Sequence, residues 1–405
     1  MQESSRRREC HILYAAGPGN VIQAHKHWVA GEPDPSQVSI TFSSQFEDFC
    51  QDIGAKAYIV SYNNKKQILR DGPFILEHRP KLMRDAVGIR YHFREVLYAF
   101  SLFATALRFR ANWAVLDSGT THYFAMSLFR LVGIRVVVIL HNSLWPNGFP
   151  SNNPSHKLIR LFDSIFFRWV ANAVIGVSPV CLRQVKQLTG VRHKFMYQIR
   201  AQYRPEVFAK FPLPPPVDRG HFRILFLGRI DNSKGAFDIL EMAQKIESCA
   251  PGRTRWDICG DGPLFEQLRI KHQKMDLGSV VALHGWVRPE MQHDLRALSH
   301  AVIVPTRSTF AEGFAMTAAE AILSGRPVIT SPVVPALEVL RPACVEARPD
   351  EVDSYVEQIV KLINSPEWYR SLCEACAALQ EQFYDGILGK RAVLNSIYSD
   401  LKFLF

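Results

Sequence analysis

Short apolar runs alternate with longer stretches of helical periodicity along most of the chain. In the first half these runs predict six strands, at residues 12–15, 38–41, 57–60, 113–116, 136–140 and 174–177. In the second half they predict five more, at residues 224–227, 256–259, 280–283, 301–304 and 328–330. Alternation of this kind is typical of parallel sheets built from βαβ units, so we expect a doubly wound α/β fold.

A proline-rich segment separates the two series of strands. Residues 210–220 read KFPLPPPVDRG, and four prolines within five positions are incompatible with a helix interior or a central strand. A chain of 405 residues also exceeds what one hydrophobic core usually organises. The sequence therefore predicts a Rossmann-like N-terminal domain at 1–212, a linker at 213–220 and a C-terminal domain at 221–385. It also predicts a final helical segment at 386–405 that could pack back on the first domain.

The positive charge is concentrated in the first half of the chain. The net charge is +10, yet residues 1–210 carry 27 Lys and Arg against 14 Asp and Glu, a balance of +13. Two segments, 79–110 and 158–170, mix basic and apolar residues at near-helical spacing. Such helices either contact an anionic membrane surface or bury the apolar side and leave the basic side in water; both interpretations stay open. Since no nucleic-acid-binding module is recognisable, we predict no nucleic-acid partner.

The apolar runs and the cysteines limit where the protein is expected to act. Arg6, Arg7 and Arg8 precede an apolar run, 12–16, that is too short for a signal sequence, and the longest run, 96–107, is well under the roughly 20 residues needed to cross a bilayer. The pair Cys373 and Cys376 has no second CxxC to complete a zinc site. We therefore predict a cytoplasmic protein with reduced thiols and no bound metal, either free or peripheral on the inner face of the membrane.

The candidate chemistry lies in loops that directly follow strands, where open parallel sheets bind their ligands. After the first strand of the second half, residues 228–235 read GRIDNSKG. Within this loop Arg229 offers a planar fork and Lys234 a point charge, a pair suited to a diphosphate. After the next strand, Gly260 and Gly262 permit a close backbone approach. Either loop alone could be an ordinary turn.

A third loop carries the most distinctive pattern. Residues 310–328 read FAEGFAMTAAEAILSGRPV, in which Glu312 precedes a helix of small residues that Gly325 should end. The free N–H groups at the start of that helix, near 315–317, would form an anion site. Glu320 lies eight residues after Glu312. Two acids at this spacing prove little, but the combination with the Gly-Phe step and the alanine-rich helix is unusual.

Taken in order, these motifs resemble the donor domain of the family-four GT-B glycosyltransferases over residues 222–330. The first half is similar to the acceptor domain of the family through three features: an opening strand followed by a glycine loop, a strand that ends in His141, and the sequence VIGVS at 174–178. The resemblance implies two Rossmann-like domains that face each other across a cleft.

The resemblance also implies an activity. The chain would be a retaining, metal-independent, hexosyltransferase-like enzyme that moves a sugar from a UDP-sugar or GDP-sugar to a hydroxyl of a glycan or lipid-linked acceptor. Such transfer would serve glycan, polysaccharide or glycolipid assembly and need no separate cofactor. Retention would follow from attack on the face from which the diphosphate departs, with the departing phosphate oxygen taking the proton of the acceptor.

The same resemblance implies roles for individual residues. Arg229 and Lys234 would bind the diphosphate, Glu320 the ribose, Glu312 the donor sugar and residues 283–287 the base, while His141 would lie beside the reacting sugar. The implied catalytic residues are His141, Glu312, Arg229 and Lys234. The implied donor-binding residues are Gly228, Arg229, Lys234, Gly260, Gly262, Trp286, Val287, Glu312, Gly313, Phe314, Ala315, Met316, Thr317 and Glu320. The implied acceptor-side residues are Gly17, Gly19, His122 and His141.

Several alternatives remain open from the residues alone. The opening loop places Pro18 between Gly17 and Gly19, where relatives often carry paired glycines, and proline removes a backbone donor. His141 could instead satisfy a neighbouring carbonyl, and Glu312 could act as a covalent nucleophile. A GT-B nucleotide-sugar 2-epimerase or phosphorylase would keep the fold and change the chemistry. A non-catalytic carbohydrate-binding protein is the alternative of another class.

Overall fold

The computed structural model describes residues 9–83, 86–190, 195–217 and 220–402. The arginines at positions 6–8, residues 218 and 219 of the predicted linker, and residues 403–405 of the predicted final segment lie outside the described residues.

The first half of the described chain forms an eight-stranded sheet. Its strands are β1 (His11–Pro18), β2 (Lys56–Tyr62), β3 (Gln67–Asp71), β4 (Phe74–Arg79), β5 (Trp113–Asp117), β6 (Arg135–Leu140), β7 (Ala171–Gly176) and β8 (Met196–Gln198). They are ordered β3-β4-β2-β1-β5-β6-β7-β8. Neighbours pair in parallel except β3 and β4, which form an antiparallel hairpin at one edge.

The second half forms a six-stranded parallel sheet among the described residues. Its strands are β9 (Phe222–Leu227), β10 (Thr254–Cys259), β11 (Val281–Gly285), β12 (Ala301–Val304), β13 (Val328–Thr330) and β14 (Cys344–Glu346). They are ordered β11-β10-β9-β12-β13-β14. The strand order reverses beside β9 here and beside β1 in the first sheet, and such switch points are where open α/β sheets bind ligands. The prediction of two doubly wound α/β sheets is confirmed.

Helices cover the faces of both sheets. In the first half they are α1 (Val21–Ala30), α2 (Phe42–Ile53), α3 (Ile89–Phe109), α4 (Leu128–Leu131), α5 (Pro154–Trp169), α6 (Pro179–Thr189) and α7 (Pro205–Phe208). In the second half they are α8 (Ala236–Cys249), α9 (Phe265–Lys274), α10 (Pro289–Leu298), α11 (Met316–Leu323), α12 (Ala336–Leu340), α13 (Val352–Ile363), α14 (Pro366–Leu379) and α15 (Lys390–Lys402). Local signals set several starts: Ser178 caps α6 by accepting the N–H of Cys181, and Pro179 occupies the first turn.

The predicted strand at 38–41 is wrong. Thr41 instead caps α2 by accepting the N–H of Ser44, and Ser39 makes only an isolated bridge to Tyr203. Conversely, the sequence did not indicate four strands that the structure contains, β3, β4, β8 and β14. β3 is almost wholly exposed and lacks an apolar run, while β8 and β14 are three residues long.

The last helix, α15, packs against α2 in the helical layer of the first sheet. Arg391 and Asn395 on α15 both donate to the carboxylate of Asp52, with distances of 2.6–2.8 Å. Leu394 and Ile397 are buried beneath them. The chain therefore leaves the first sheet, builds the second, and returns to complete the core of the first.

Candidate active site

Three loops of the second sheet meet at the carboxyl ends of β9, β10 and β12. A Cβ atom on Gly260 would lie 1.8 Å from the main-chain oxygen of Gly228, and one on Gly262 would lie 2.4 Å from that of Ile230. Only glycine permits approach this close. The N–H of Ile230 donates to Asp261 O at 3.0 Å, and that of Arg307 to Ser233 O at 2.9 Å. Backbone contacts thus hold the three loops together.

The loops after β9, β10 and β11, together with α10 and α11, line a cavity of about 350 Å³. Of the residues singled out in the sequence, seven line it: Gly228, Arg229, Gly260, Trp286, Val287, Thr317 and Glu320. Leu227, Cys259, Asp261 and Gln292 complete the lining. The structure therefore brings half of the predicted donor-binding residues to one cavity, and Gly262 packs against the main chain of Ile230 in the loop after β9.

Arg229 projects from the cavity rim and is 68% exposed. Its Nε lies 3.6 Å from Oδ2 of Asp231. The other oxygen of this carboxylate, Oδ1, accepts hydrogen bonds from the N–H and the hydroxyl of Ser233 at 2.8 and 2.6 Å. Burial alone would raise the pKa of Asp231, but these hydrogen bonds and Arg229 hold that pKa below its usual value. The loop thus presents an exposed guanidinium on a rigid, anionic turn.

Lys234 and Glu312 form an ion pair with a distance of 2.5 Å between Nζ and Oε2. The same carboxylate oxygen accepts the hydroxyl of Thr306 at 3.2 Å, and the Lys234 ammonium lies 4.1 Å from the centroid of the Phe310 ring. Neither Lys234 nor Glu312 is among the residues that line the cavity. The two predicted donor contacts are therefore paired with each other, next to the cavity.

Helix α11 starts at the cavity edge. Ala315, the residue before the helix, has φ of +73°, a left-handed conformation that is unfavourable by roughly 1–2 kcal/mol for a residue with a side chain. The hydroxyl of Thr317 donates to Leu227 O at 3.0 Å and so ties the first turn to the end of β9. Met316 contacts Tyr203 from the opposite side. The first turn of α11 thus faces the strand end that carries the Gly228 loop.

Glu320 accepts a hydrogen bond of 2.6 Å from the guanidinium of Arg296, which is itself buried. Burial raises the pKa of Glu320, and Arg296 opposes this shift. Arg296 lies on α10 and no sequence motif pointed to it. Its contact depends on how α10 packs beside α11, which spacing along the chain does not reveal.

The segments that carry Glu312 and His141 meet where the two sheets face each other. A Cβ atom on Gly313 would lie 1.7 Å from His141 O, and the N–H of Ser143 donates to Glu312 O at 3.3 Å. Phe314, next in the chain, is buried, and the guanidinium of Arg200 lies 5.3 Å from its ring centroid. His141 and Glu312, predicted from opposite halves of the sequence, therefore lie on adjoining segments.

His141 belongs to a buried network beneath the cleft. Its Nε2 lies 3.2 Å from Oδ2 of Asp117, which also accepts the hydroxyl of Tyr14 at 2.5 Å. Lys390 of α15 donates to Tyr14 Oη at 2.6 Å and lies 3.6 Å from the same Asp117 oxygen. Burial opposes the charge on Asp117, but Lys390 and then His141 hold its pKa below the usual value. Burial also opposes the charge on Lys390 and lowers the pKa of its ammonium group.

The sequence pointed to His141 but not to Lys390. Asp117 ends β5, so the rule that chemistry follows strand ends could have found it. Lys390 has no such signal, because it lies on the last helix and is wholly buried against the first sheet.

The remaining acceptor-side predictions fall around the switch point of the first sheet. A Cβ on Gly17 would lie 3.0 Å from Ser118 O, so the loop after β1 packs on the loop after β5. Gly19 donates its N–H to Tyr62 O at 3.3 Å. His122 contacts His92 of α3 at 3.0 Å, and burial, followed by the nearby His92, lowers its pKa to about 4. His122 thus contacts Tyr91 and His92 of α3 on one side and Phe124 on the other.

Two general properties of the described residues bear on the site. Nowhere in these ranges do three or more His, Cys, Asp or Glu side chains gather in a way that could hold a metal ion. No described helix has the length and apolar character required to cross a bilayer.

Comparison with known proteins gives the family of the second half. Residues 213–379 match the family model described as glycosyl transferases group 1. No curated protein sequence matches the chain.

Solved structures match over almost the whole chain. Sucrose-phosphate synthase from Thermosynechococcus elongatus superposes with a TM-score of 0.72 at 15% identity, covering 98% of this chain and 100% of that one. Anabaena HepE in complex with UDP and glucose gives 0.63 at 16% identity, covering 97% and 100%. The E. coli trehalose-6-phosphate structure bound with UDP-2-fluoro glucose gives 0.67 at 11% identity, covering 97% and 99%. At such identities the likeness shows the fold alone.

The resemblance found in the motifs is thereby confirmed at the level of family and fold. Residues 213–379 match the model of the group 1 glycosyl transferases, and the chain as a whole has the GT-B fold.

Proposed function

We propose that the chain transfers a sugar, with retention of anomeric configuration, from a nucleoside diphosphate sugar to a hydroxyl acceptor. The observation that carries the proposal is the cavity at the ends of β9 and β10, which gathers an exposed guanidinium, a helix start and a partly buried carboxylate. UDP-sugars and GDP-sugars are the candidate donors. The UDP-bound HepE structure, which shares the fold, supports UDP.

The donor fits the cavity in one orientation. The diphosphate lies between Arg229 and the first turn of α11, because free backbone N–H groups and the helix dipole favour an anion there. The ribose hydroxyls donate to Glu320, which Arg296 holds in place through a hydrogen bond of 2.6 Å. The base lies against Trp286 and Val287 at the outer end of the cavity.

Lys234 adds the second cation. Its ammonium group is paired with the Glu312 carboxylate, so an incoming diphosphate must compete with Glu312 for that group. When Lys234 turns to the phosphate, the Glu312 carboxylate becomes free to accept a hydroxyl of the donor sugar. Binding of the diphosphate and orientation of the sugar are thus linked through one contact.

Transfer is driven by stabilisation of the leaving group. Negative charge grows on the diphosphate as the glycosidic bond breaks, and cations already fixed at that point lower the barrier most. Arg229, Lys234 and the α11 start supply this charge, so the proposed reaction needs neither a metal ion nor a separate cofactor. The acceptor hydroxyl attacks the face that the diphosphate leaves, and its proton passes to the departing phosphate oxygen. His141 and Glu312 position the sugar from the two sides of the cleft.

The acceptor is a hydroxyl on a glycan or a lipid-linked sugar, and the reaction serves glycan, polysaccharide or glycolipid assembly in the cytoplasm. All eight cysteines are free, which supports a reducing compartment. The basic first half supports work at the inner face of a membrane, peripherally attached.

The proposal is tested by replacing Lys234 with Ala and, separately, Arg229 with Ala. Each change should lower the transfer rate at least about 100-fold, on the order seen when one preorganised charge-stabilising donor is removed. Arg253→Ala removes an exposed cation of the same half, away from the cavity, and serves as the matched control. Near-normal transfer by Lys234→Ala would contradict the assignment. NMR of the product at early times gives its anomeric configuration, and inversion would exclude the proposed route.

A screen of thermal stability with UDP, GDP, ADP and their sugars identifies the donor. A ligand that binds only the native state raises its stability by mass action. Product analysis with and without an acceptor separates transfer from epimerisation or phosphorolysis.

A further inference from the structure

Helix α5 presents an apolar stripe to solvent. Five of its side chains are between 43% and 65% exposed: Leu158, Leu161, Phe162, Ile165 and Trp169. They recur at helical spacing and so lie on one side of the helix. Phe166 and Phe167 point to the opposite side and are fully buried. The helix is therefore anchored by one apolar side while a second apolar side faces away from the protein.

Helix α3 repeats this arrangement. Ile89, Phe93, Phe100 and Leu107 are 82%, 58%, 52% and 47% exposed and follow one another at intervals of four, seven and seven residues. Tyr98, Leu102 and Ala106 anchor the helix from its other side. A soluble helix ordinarily carries polar residues where these exposed apolar side chains stand.

The two stripes belong to one surface. Both helices pack against the 3-10 helix Tyr123–Ser127. His92 of α3 contacts His122 beside that helix, and Phe162 of α5 lies 5.5 Å, between ring centroids, from its Phe124. At the end of α4, Leu131 and Val132 are 80% and 46% exposed. We call this surface, formed by the outer sides of α3, α4 and α5, the α3–α5 face.

The segment that forms the α3–α5 face carries a net positive charge. Residues 86–170 contain nine Lys and Arg and three acidic residues. All three acids, Glu95, Asp117 and Asp163, are at most 8% exposed, and Glu95 is already paired with Lys81 and Arg94. The exposed basic residues are Arg90, Arg108, Arg110, Arg130, Lys157 and Arg168. Within this segment, the surface therefore offers cations and apolar groups but no exposed carboxylate.

We propose that the α3–α5 face docks on a bilayer that contains anionic phospholipid. The apolar side chains enter the boundary between headgroups and acyl chains, while the basic residues beside them contact lipid phosphates. A second copy of the chain fits less well, because a face-to-face dimer would bring the same cations together with no exposed carboxylate from this segment to compensate. The exposed apolar side chains of this face recur at helical spacing on two helices that contact the same 3-10 helix, whereas apolar exposure on ordinary surfaces is scattered singly.

Docking in this way places the candidate active site near the lipid. The inner side of α5, through Ile159, Arg160 and Asp163, lines a cavity of about 560 Å³. Ser308, Thr309 and Ala311, directly before Glu312, form its other wall. An α-helix is about 10 Å across, so this cavity lies roughly one helix diameter from the docked surface. If the proposed transfer is correct, the acceptor reaches the cavity as a lipid-linked molecule.

The test uses flotation of the full chain with phosphatidylcholine vesicles, with and without phosphatidylglycerol, at low and high salt. We expect binding to the anionic vesicles that weakens with salt and little binding to phosphatidylcholine alone. Each basic residue near the surface contributes roughly fivefold to the partition coefficient, so the combined change Arg90→Glu, Arg108→Glu and Arg168→Glu should lower it by at least about 100-fold. Arg253→Glu with Lys274→Glu, two exposed cations of the second half, is the charge control.

The apolar contribution is tested with Phe93→Ser, Leu161→Ser and Ile165→Ser combined. We expect a loss of binding of at least roughly tenfold. Ile270→Ser with Ile387→Ser removes two exposed apolar side chains elsewhere and should leave binding unchanged. Equal binding by all variants, or no binding to anionic vesicles, would overturn the proposal. Light scattering that shows a dimer broken by the same three changes, without vesicle binding, would identify a protein interface instead.

These measurements require no donor and no acceptor. Stabilisation of the variants by the nucleotide, measured by thermal melting, reports on the proposed function separately. A chain that binds nucleotide but not vesicles would disprove docking alone.

Discussion

Gly313 packs directly against the main chain of His141, across the boundary between the two sheets. A Cβ atom at Gly313 would lie 1.7 Å from His141 O, which is far inside any van der Waals contact, and the atom concerned is main chain. The position of the Glu312 carboxylate relative to the His141 ring is therefore set by the absence of a side chain at residue 313.

Replacing Gly313 with Ala should push the two loops apart. We expect the transfer rate to fall at least about tenfold, because displacements near 1 Å at a reacting centre are known to lower rates by up to about 100-fold. Nucleotide affinity should change little, since Gly313 does not line the donor cavity. Steady-state kinetics with a nucleotide-binding titration separate the two effects. Gly278→Ala, where a Cβ meets nothing within 4 Å, is the matched control.

Lys390 should stabilise the fold through Asp117. Removing one partner of a buried charge pair typically destabilises by about 3–5 kcal/mol, so Lys390→Met should lower the free energy of unfolding by roughly that amount. The double change with Asp117→Asn should recover part of the loss, because it also removes the unpaired carboxylate. Denaturant titration at neutral pH measures both. A smaller loss in the double variant is the result that supports coupling; additive losses would argue against it.

The same pair gives a pH dependence. The folded-state pKa of Asp117 lies below its usual value, so its contribution to stability is present above the pKa of the unfolded chain and is lost as pH falls through the folded pKa. In Lys390→Met that pKa should rise, and the loss should begin at higher pH. Unfolding free energies measured across the acidic range for the wild type and the variant test this shift. Identical profiles would show that Lys390 does not set the charge of Asp117.

Arg296 should support nucleotide binding without touching the nucleotide. Burial already raises the pKa of Glu320, and Arg296 opposes that shift, so Arg296→Met should raise the pKa further. We expect UDP affinity to fall roughly tenfold, about the 1.4 kcal/mol that one charge-assisted hydrogen bond contributes. As the pH is lowered, the UDP affinity of the variant should begin to decline at a higher pH than the UDP affinity of the wild type. Calorimetry at several pH values measures both, and Arg296→Lys should restore part of the affinity.

His122 should make the fold less stable in acid. Its pKa is lowered to about 4 in the folded chain, so the unfolded chain binds the extra proton first as pH falls below the ordinary histidine value of 6.5. Stability therefore decreases between these two values, on the order of 2–3 kcal/mol for this group. His122→Phe should flatten the wild-type slope, while His293→Phe, at an exposed site, should not. An NMR titration of His122 that gave an ordinary pKa would contradict the prediction.

The sequence located candidate site residues more successfully in loops that directly follow strands than in other parts of the chain. Arg229, Gly260 and Trp286 come from three different loops, yet all line one cavity, because parallel strands carry their loops to a common edge. The motif order that suggested the fold was therefore informative about position. What each residue does in the reaction remains a proposal.

Side-chain contacts between separate elements could not be anticipated. Arg296 reaches Glu320 through the packing of α10 on α11, and Lys390 reaches Tyr14 from the opposite end of the chain. Nor does a pattern of residues reveal that Lys234 pairs with Glu312. The mistaken strand at 38–41 has a similar origin, since Val38, Ile40 and Thr41 fit a strand and the approach to a capped helix start equally well.

The return of α15 to the first sheet has a consequence for synthesis. Tyr14 and Asp117 are made early, but the ammonium group beside them belongs to α15, which is synthesised only after the second sheet. Until then, Asp117 in the nascent first half lacks the Lys390 ammonium group, and the side of α2 that α15 covers is exposed. Vectorial folding of this chain therefore cannot finish in the order in which its halves are translated.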